Sequence, residues 1–145
     1  MPEHTWAQTE IAAPPAAIMA VIADLPSYPQ WCTGIGSAEV LTTFRNGRPR
    51  TVRVVLDAPP VVETHEYEYE WRPREVSWHL TQGGIVSSMH GRYTCLKRSK
   101  GITQVTYELT MTLDMPLIGT LRRRAERHIV GTALRGLKER VESRP

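Results

Sequence analysis

Cysteine is almost absent from this chain. Cys32 and Cys95 are the only two among 145 residues, too few and too far apart for a metal knuckle, a redox pair or a disulfide framework. Long hydrophobic runs are missing too: nothing approaches the roughly 20 apolar residues of a membrane span, so no spanning helix is expected. The first residues, MPEHTWAQTEI, lack the basic start and apolar centre of a secretion signal, and a cytoplasmic protein is expected. No Gly-x-Ser-x-Gly elbow, phosphate-cradling glycine loop or dinucleotide fingerprint occurs, which sets aside serine hydrolases and nucleotide enzymes of those types. His4, His65, His79, His90 and His128 show none of the spacing against cysteine or carboxylate that zinc needs. No metal and no cofactor are expected. No linker, repeat or low-complexity tract divides the chain, and residues 1–145 fit a single domain able to bury about two thirds of its unfolded surface.

What the chain does have is alternation. From about Ile35 to Leu113 apolar and polar residues alternate, broken only by turn signals, and one long helical stretch, 116–141, closes the sequence. Period two marks half-buried antiparallel strands, and the closing helix is the one large element able to cover their apolar face. Residues 4–11 read as a first strand. Pro14 and Pro15 suit the first turn of a helix that 16–23 continue, and 27–31 form a short second helix or turn whose Tyr28 and Trp31 can plug one end of the sheet. Six meandering strands follow: 37–44, 51–57, 61–71, 76–81, 85–97 and 102–113. Asn46-Gly47 between the first two is a strong hairpin signal.

Parity assigns several faces. Glu66, Glu68 and Glu70 must face water, which turns Glu63, His65, Tyr67, Tyr69 and Trp71 inward. Val76, Trp78 and Leu80 are inward on the next strand, and Val105, Tyr107, Leu109 and Met111 on the last. Between them the apolar parity is Met89, Gly91, Tyr93 and Cys95, sending His90 and Arg92 outward unless a bulge at Gly91 reverses it. The faces of 37–44 and 51–57 are ambiguous. On the closing helix an apolar stripe begins on Leu121, Ala125, His128 and Thr132 and rotates towards Val130, Leu134, Leu137 and Val141, a drift that calls for a kink near Gly131 or a strongly wrapped sheet.

The formal charge is +3, and Arg122, Arg123, Arg124, Arg127, Arg135, Lys138 and Arg140 put much of the positive charge on the closing helix. Such a helix is ordinarily a solvated face, though it could make transient contact with an anionic membrane surface. No aromatic side chains interleave with these arginines, so nucleic acid is not an expected partner. The oligomeric state is left open.

Several segments together resemble a known superfamily: Glu10-Ile11-Ala12-Ala13-Pro14, Asp24-Leu25-Pro26-Ser27-Tyr28-Pro29-Gln30-Trp31, Val76-Ser77-Trp78, Gly91-Arg92-Tyr93, Thr103-Gln104-Val105-Thr106-Tyr107 and Ala133-Leu134-Arg135-Gly136-Leu137-Lys138. Their order and spacing, over nearly the whole chain, resemble the START-like, or helix-grip, superfamily in its branch of polyketide cyclase/dehydrase and lipid-transport proteins, often called SRPBCC proteins. The resemblance implies an α+β, Bet v 1-like fold: a curved seven-stranded antiparallel sheet wrapped around a long C-terminal helix, with two short helices after the first strand. It also implies a cavity between sheet and helix for an apolar or amphipathic small molecule. It implies no particular reaction, since the superfamily mixes carriers, sensors, cyclases and hydrolases.

The hollow is where chemistry is expected. Glu63, His65, Tyr67 and Tyr69 would project into it beside Trp78, Met89 and Tyr93, facing Tyr107 and Met111, with Leu121, Ala125 and His128 on the helix side. Taken singly, inward aromatics are ordinarily core, and a histidine beside a carboxylate is ordinarily a satisfied pair. Their density argues for a site, because each polar atom left unsatisfied costs roughly 1–3 kcal/mol and a ligand or water would relieve it. The expected function is carriage or sensing of a lipid-like or aromatic molecule. The alternative is a polyketide aromatase/cyclase or dehydratase with Glu63 or His65 as base, Tyr67, Tyr69 or Tyr107 as donors, and Trp78 and Met89 as walls.

Overall fold

Alternation at period two leaves each strand with one apolar face, and pairing those strands edge to edge builds a single sheet. The computed structural model describes residues 4–59, 61–116 and 119–143. It contains β1 (Thr5–Ile11), α1 (Pro15–Ala23), a 3-10 helix (Leu25–Gln30), β2 (Ile35–Thr43), β3 (Pro49–Ala58), β4 (Val61–Arg72), β5 (Glu75–Gln82), β6 (Val86–Ser99), β7 (Ile102–Leu113) and α2 (Gly119–Glu142). The strands pair antiparallel in the order β1-β7-β6-β5-β4-β3-β2. This is the expected helix-grip architecture. Pro60 in the β3–β4 turn, and 117–118 in the expected start of the closing helix, lie outside the described residues. Among the described residues no helix is long and apolar enough to cross a membrane.

The inward parity of β4, β5 and β7 is the one read from sequence. His65, Tyr67, Tyr69, Val76, Trp78, Val105, Tyr107, Leu109 and Met111 are buried, and Glu63, Trp71 and Leu80 are half-buried. On β6 the register steps evenly from Ser88 to Lys97, so Gly91 is not bulged, and His90 and Arg92 point outward. What defeated parity on β2 is its pairing with β3, which is interrupted at three places. Val52 and Val54 nonetheless turn inward and are buried. The β2–β3 hairpin closes through Phe44 and Arg48, with Gly47 in the left-handed region at φ +88°, where a glycine is favoured.

One end of the hollow is sealed from within the chain. α1 buries Ile18, Met19, Val21 and Ile22, and the 3-10 helix adds Leu25 and Tyr28. The Tyr28 hydroxyl donates to the Ile22 carbonyl, and its ring lies 4.7 Å from that of Trp31. α2 closes on this plug at Gly136, where any Cβ would meet the Trp31 carbonyl oxygen at 1.9 Å.

On α2 the expected stripe needs correction. Leu121 and His128 are exposed, and Ala125 and Thr132 are half-buried. The buried positions are Glu126, Val130, Ala133, Leu134, Leu137 and Val141, one stripe in steps of three and four that runs the length of a continuous helix. The apparent rotation arose from leaving a glutamate out of an apolar face, and no kink at Gly131 is required. Glu126 is 1% exposed and is satisfied by its neighbours: the Thr5 hydroxyl donates to it at 2.9 Å and the Met111 amide at 3.1 Å. Met111 lies beyond the last β1 pair, Thr5 with Leu109, so the carboxylate takes the place of a strand carbonyl there. Glu126 thereby fastens α2 to both β1 and β7.

Candidate functional site

Alternate residues of one strand stand on the same face, so Glu63, His65 and Tyr67 form a row along β4. Their side chains join end to end. The Glu63 Oε2 lies 2.6 Å from His65 Nε2, and His65 Nδ1 lies 2.7 Å from the Tyr67 hydroxyl. His65 is fully buried. Glu63 also accepts from the Ile85 amide at 2.9 Å and the Val86 amide at 3.0 Å. That approach depends on Gly84, where a Cβ would stand 2.9 Å from Glu63 Oε1. Partial burial by itself would raise the Glu63 carboxyl. Hydrogen bonds from His65 and from the Val86 and Ile85 amides, with the charge of His65, hold it below its ordinary 4.5 instead.

This fixes the direction of the chain. An ionised Glu63 only accepts, so His65 carries hydrogen on Nε2. With a neutral ring, Nδ1 accepts from the Tyr67 hydroxyl. With a protonated ring, Nδ1 donates to Tyr67 and the phenol hydrogen is free to turn to Met89 Sδ, 3.4 Å away. Both nitrogens of His65 are therefore occupied, and Tyr67 is the member of the chain next to the aromatic interior. Burial, followed by the charge of Glu63, pushes the Tyr67 phenol above its usual range.

The rest of the concave face is aromatic. Tyr69 stacks on Trp71 and Trp78 with centroids at 5.7 and 5.6 Å, and Trp78 meets Tyr93 at 5.5 Å and Tyr107 at 5.7 Å. Tyr93 and Tyr107 are 4.5 Å apart. Gly91, paired across from Trp78, makes room for the indole, since a Cβ there would lie 2.3 Å from the ring. Burial pushes the phenols of Tyr69, Tyr93 and Tyr107 well up. None of these three hydroxyls bonds to a described residue, yet none is a fully buried orphan, so the rings are buried while their oxygens border space that water can enter. Trp31 Nε1, by contrast, is fully buried without a partner among the described residues. Burial holds the Cys32 thiol near 12 and the Cys95 thiol near 11, far from a reactive thiolate.

The expected residues thus divide. Glu63, His65, Tyr67 and Met89 form one connected group, and Tyr69, Trp78, Tyr93 and Tyr107 form an adjoining aromatic one. Met111 is buried on the same face, Ala125 is half-buried, and Leu121 and His128 stand exposed on α2. The residue that sequence reasoning missed is Glu126. Its signal was present, because continuing the Val130, Leu134 stripe back by four lands on it. Open clefts lie elsewhere: one of about 540 Å³ runs between the 3-10 helix and α2, floored by Trp31 and Gly136 and flanked by Arg135 and Arg140. It touches no member of the Glu63 chain. No group of three or more histidine, cysteine or acidic side chains is placed to hold a metal among the described residues.

A strongly curved sheet with an inward polar chain and an aromatic wall, gripped by one long helix, defines a START-like, Bet v 1-like protein. Solved structures agree. A START superfamily protein from Mycobacterium smegmatis superposes with a TM-score of 0.89 at 19% identity, over 96% of this chain and 97% of that one. The Zhui aromatase/cyclase from Streptomyces sp. R1128 gives 0.81 at 17%, over 98% and 94%. TTHA0849 from Thermus thermophilus gives 0.80 at 25%, over 96% and 97%. No curated protein sequence matches the chain. The family described as polyketide cyclase / dehydrase and lipid transport matches residues 4–142, and the chain belongs to that family.

Proposed function

We propose that the protein carries or senses a hydrophobic or amphipathic small molecule, lipid-like or an aromatic polyketide, held between the concave face and α2. The observation that carries this reading is the set of three buried phenols, Tyr69, Tyr93 and Tyr107, without partners among the described residues. Their rings line the concave face while their oxygens border space that water can enter, and a bound molecule with oxygen acceptors and a flat apolar body would meet all three in water's place. Stacked rings beside them supply the apolar walls such a molecule needs. Titrating the purified protein with aromatic polyketides and with fatty acids while following tryptophan emission tests it. Saturable quenching at one ligand per chain is expected, because Trp78 lies in the wall. Emission unchanged by every member of both classes would refute the reading.

A second reading is favoured by the Glu63, His65, Tyr67 chain. An aromatase/cyclase must take a proton beside a carbonyl and stabilise the enolate oxygen. With both His65 nitrogens engaged, Tyr67 is the group that would meet substrate: with a neutral ring its oxygen would take the substrate's proton as its own hydrogen passes to His65 Nδ1, leaving an imidazolium held by Glu63. Replacing Glu63 and His65 together by glutamine should abolish turnover in an enzyme and cost a carrier a modest part of its affinity. Normal turnover of a polyketide by that double variant would remove the catalytic assignment.

A further inference from the structure

The membrane contact expected of the closing helix has a stronger candidate at one end of the sheet. The β2–β3, β4–β5 and β6–β7 turns lie side by side there, because neighbouring strands are antiparallel in the order β7-β6-β5-β4-β3-β2. The first turn carries Arg45, Arg48 and Arg50, and the second Arg72 and Arg74. The third adds Lys97, Arg98 and Lys100. Residues 43–50, 71–75 and 97–102 thus hold eight of the chain's 18 lysines and arginines but one of its 15 acids, Glu75. The turns at the opposite end, 57–61, 82–86 and 113–119, hold no lysine or arginine and two acids, Asp57 and Asp114.

Seven of the eight cations are exposed. Arg48 is drawn back, with its guanidinium 5.3 Å from the centroid of Trp71 and donating to the Met19 carbonyl at 3.3 Å. Among the described residues Arg72 is the one member with a carboxylate within reach, Glu75 at 3.9 Å. Strands sit about 4.8 Å apart, so turns two strands apart form a row with steps of about 10 Å. Like charges at that spacing repel, and a polyanion relieves the repulsion.

The chemistry of the rim narrows the partner. Five of the seven exposed cations are arginines, whose planar forks match phosphate. A protein partner would need an apolar centre, and the turns offer one large apolar side chain, Phe44, 36% exposed, with the Arg50 guanidinium 5.7 Å from its ring centroid. Single-stranded nucleic acid would need open aromatic faces, which that cover denies. The closing helix fits less well. Its Arg122 is half-buried, Lys138 is bonded to Glu142 at 2.8 Å, and Arg140 to Gln30 at 2.8 Å, which leaves Arg123, Arg124 and Arg127 exposed near its start and Arg135 alone further along. We infer that the rim of three turns docks on the phosphate-rich surface of an anionic membrane.

Sedimentation of the full chain with vesicles tests this, using phosphatidylcholine alone and with about 30% phosphatidylserine. Binding to the anionic vesicles only, lost between about 50 mM and about 500 mM salt, is expected. Arg45→Glu/Arg98→Glu/Lys100→Glu should bind at least about 30-fold more weakly, whereas Arg123→Glu/Arg124→Glu/Arg127→Glu, with the same change in charge, should stay within about threefold. If the rim glutamates disturb folding, as read by circular dichroism, glutamines at the same positions replace them and at least about tenfold weakening is expected. No binding by the wild type, equal loss in the two variants, or tighter binding to mixed-sequence duplex DNA than to vesicles would each overturn the assignment.

Discussion

At the Glu63 end of the concave face, carboxylate, imidazole and phenol satisfy one another within 2.7 Å, whereas at the Tyr107 end three phenols stand in a ring stack with no partner among the described residues. Both ends place polar groups on one sheet face, yet the first is satisfied within the protein and the second turns its hydroxyls to space that water or a ligand can enter. The difference follows from composition. Glu63 brings acceptors and finds two backbone amides at the β5–β6 turn, while Tyr69, Tyr93 and Tyr107 bring donors into a region walled by other rings. Water can meet those hydroxyls in the unliganded protein, and the proposed ligand takes water's place at the aromatic end alone.

The comparison can be broken most severely at Gly91. In Gly91→Ala the new Cβ would meet the Trp78 ring at 2.3 Å, displacing the indole that links Tyr69 to Tyr93 and Tyr107. A loss of about 3 kcal/mol in urea unfolding is expected, with the Glu63 chain left in place. Next in size is Tyr69→Phe/Tyr93→Phe/Tyr107→Phe. It removes hydroxyls that no described group needs, so stability should change by less than about 1 kcal/mol, while ligand affinity falls about a hundredfold. A triple variant that binds as tightly as wild type would show that the phenols are only packing.

Much of this contrast was legible in the sequence. The parity of Glu66, Glu68 and Glu70 turned the whole Glu63 row inward, and alternation gave the facing of Trp78 and Tyr107. What was not legible depends on pairing in three dimensions. The interrupted register between β2 and β3 hides its parity. The bonds of Glu63 to Ile85 and Val86 join residues more than twenty positions apart. Glu126 does not stand out in the sequence because a carboxylate on a helix ordinarily faces water, and its partners, Thr5 and Met111, are visible only once β1 lies beside β7.

Smaller effects sharpen the complete end. Tyr67→Phe should cost about 1 kcal/mol, since it leaves the buried His65 Nδ1 unmet where Tyr69→Phe leaves nothing unmet; equal costs for the two would erase the distinction between the ends. Glu63→Gln should show its effect in the pH dependence. The folded carboxyl titrates below its unfolded value, so its contribution is complete above about pH 4.5 and is lost as the pH falls through the folded value. The variant should therefore be less stable than wild type at about pH 7, with the gap closing in acid. A gap that widened below about pH 4.5 would reverse the sign of the Glu63 shift.

Native mass spectrometry of freshly purified wild type beside the Tyr69→Phe/Tyr93→Phe/Tyr107→Phe variant addresses the aromatic end directly. An added mass on the wild type that is released on denaturation, and that is absent or sharply reduced on the variant, is the expected result. An equal bound mass on both proteins, or a bare wild type that also takes up none of the offered aromatic or lipid molecules, would contradict the claim that the three phenols await a ligand.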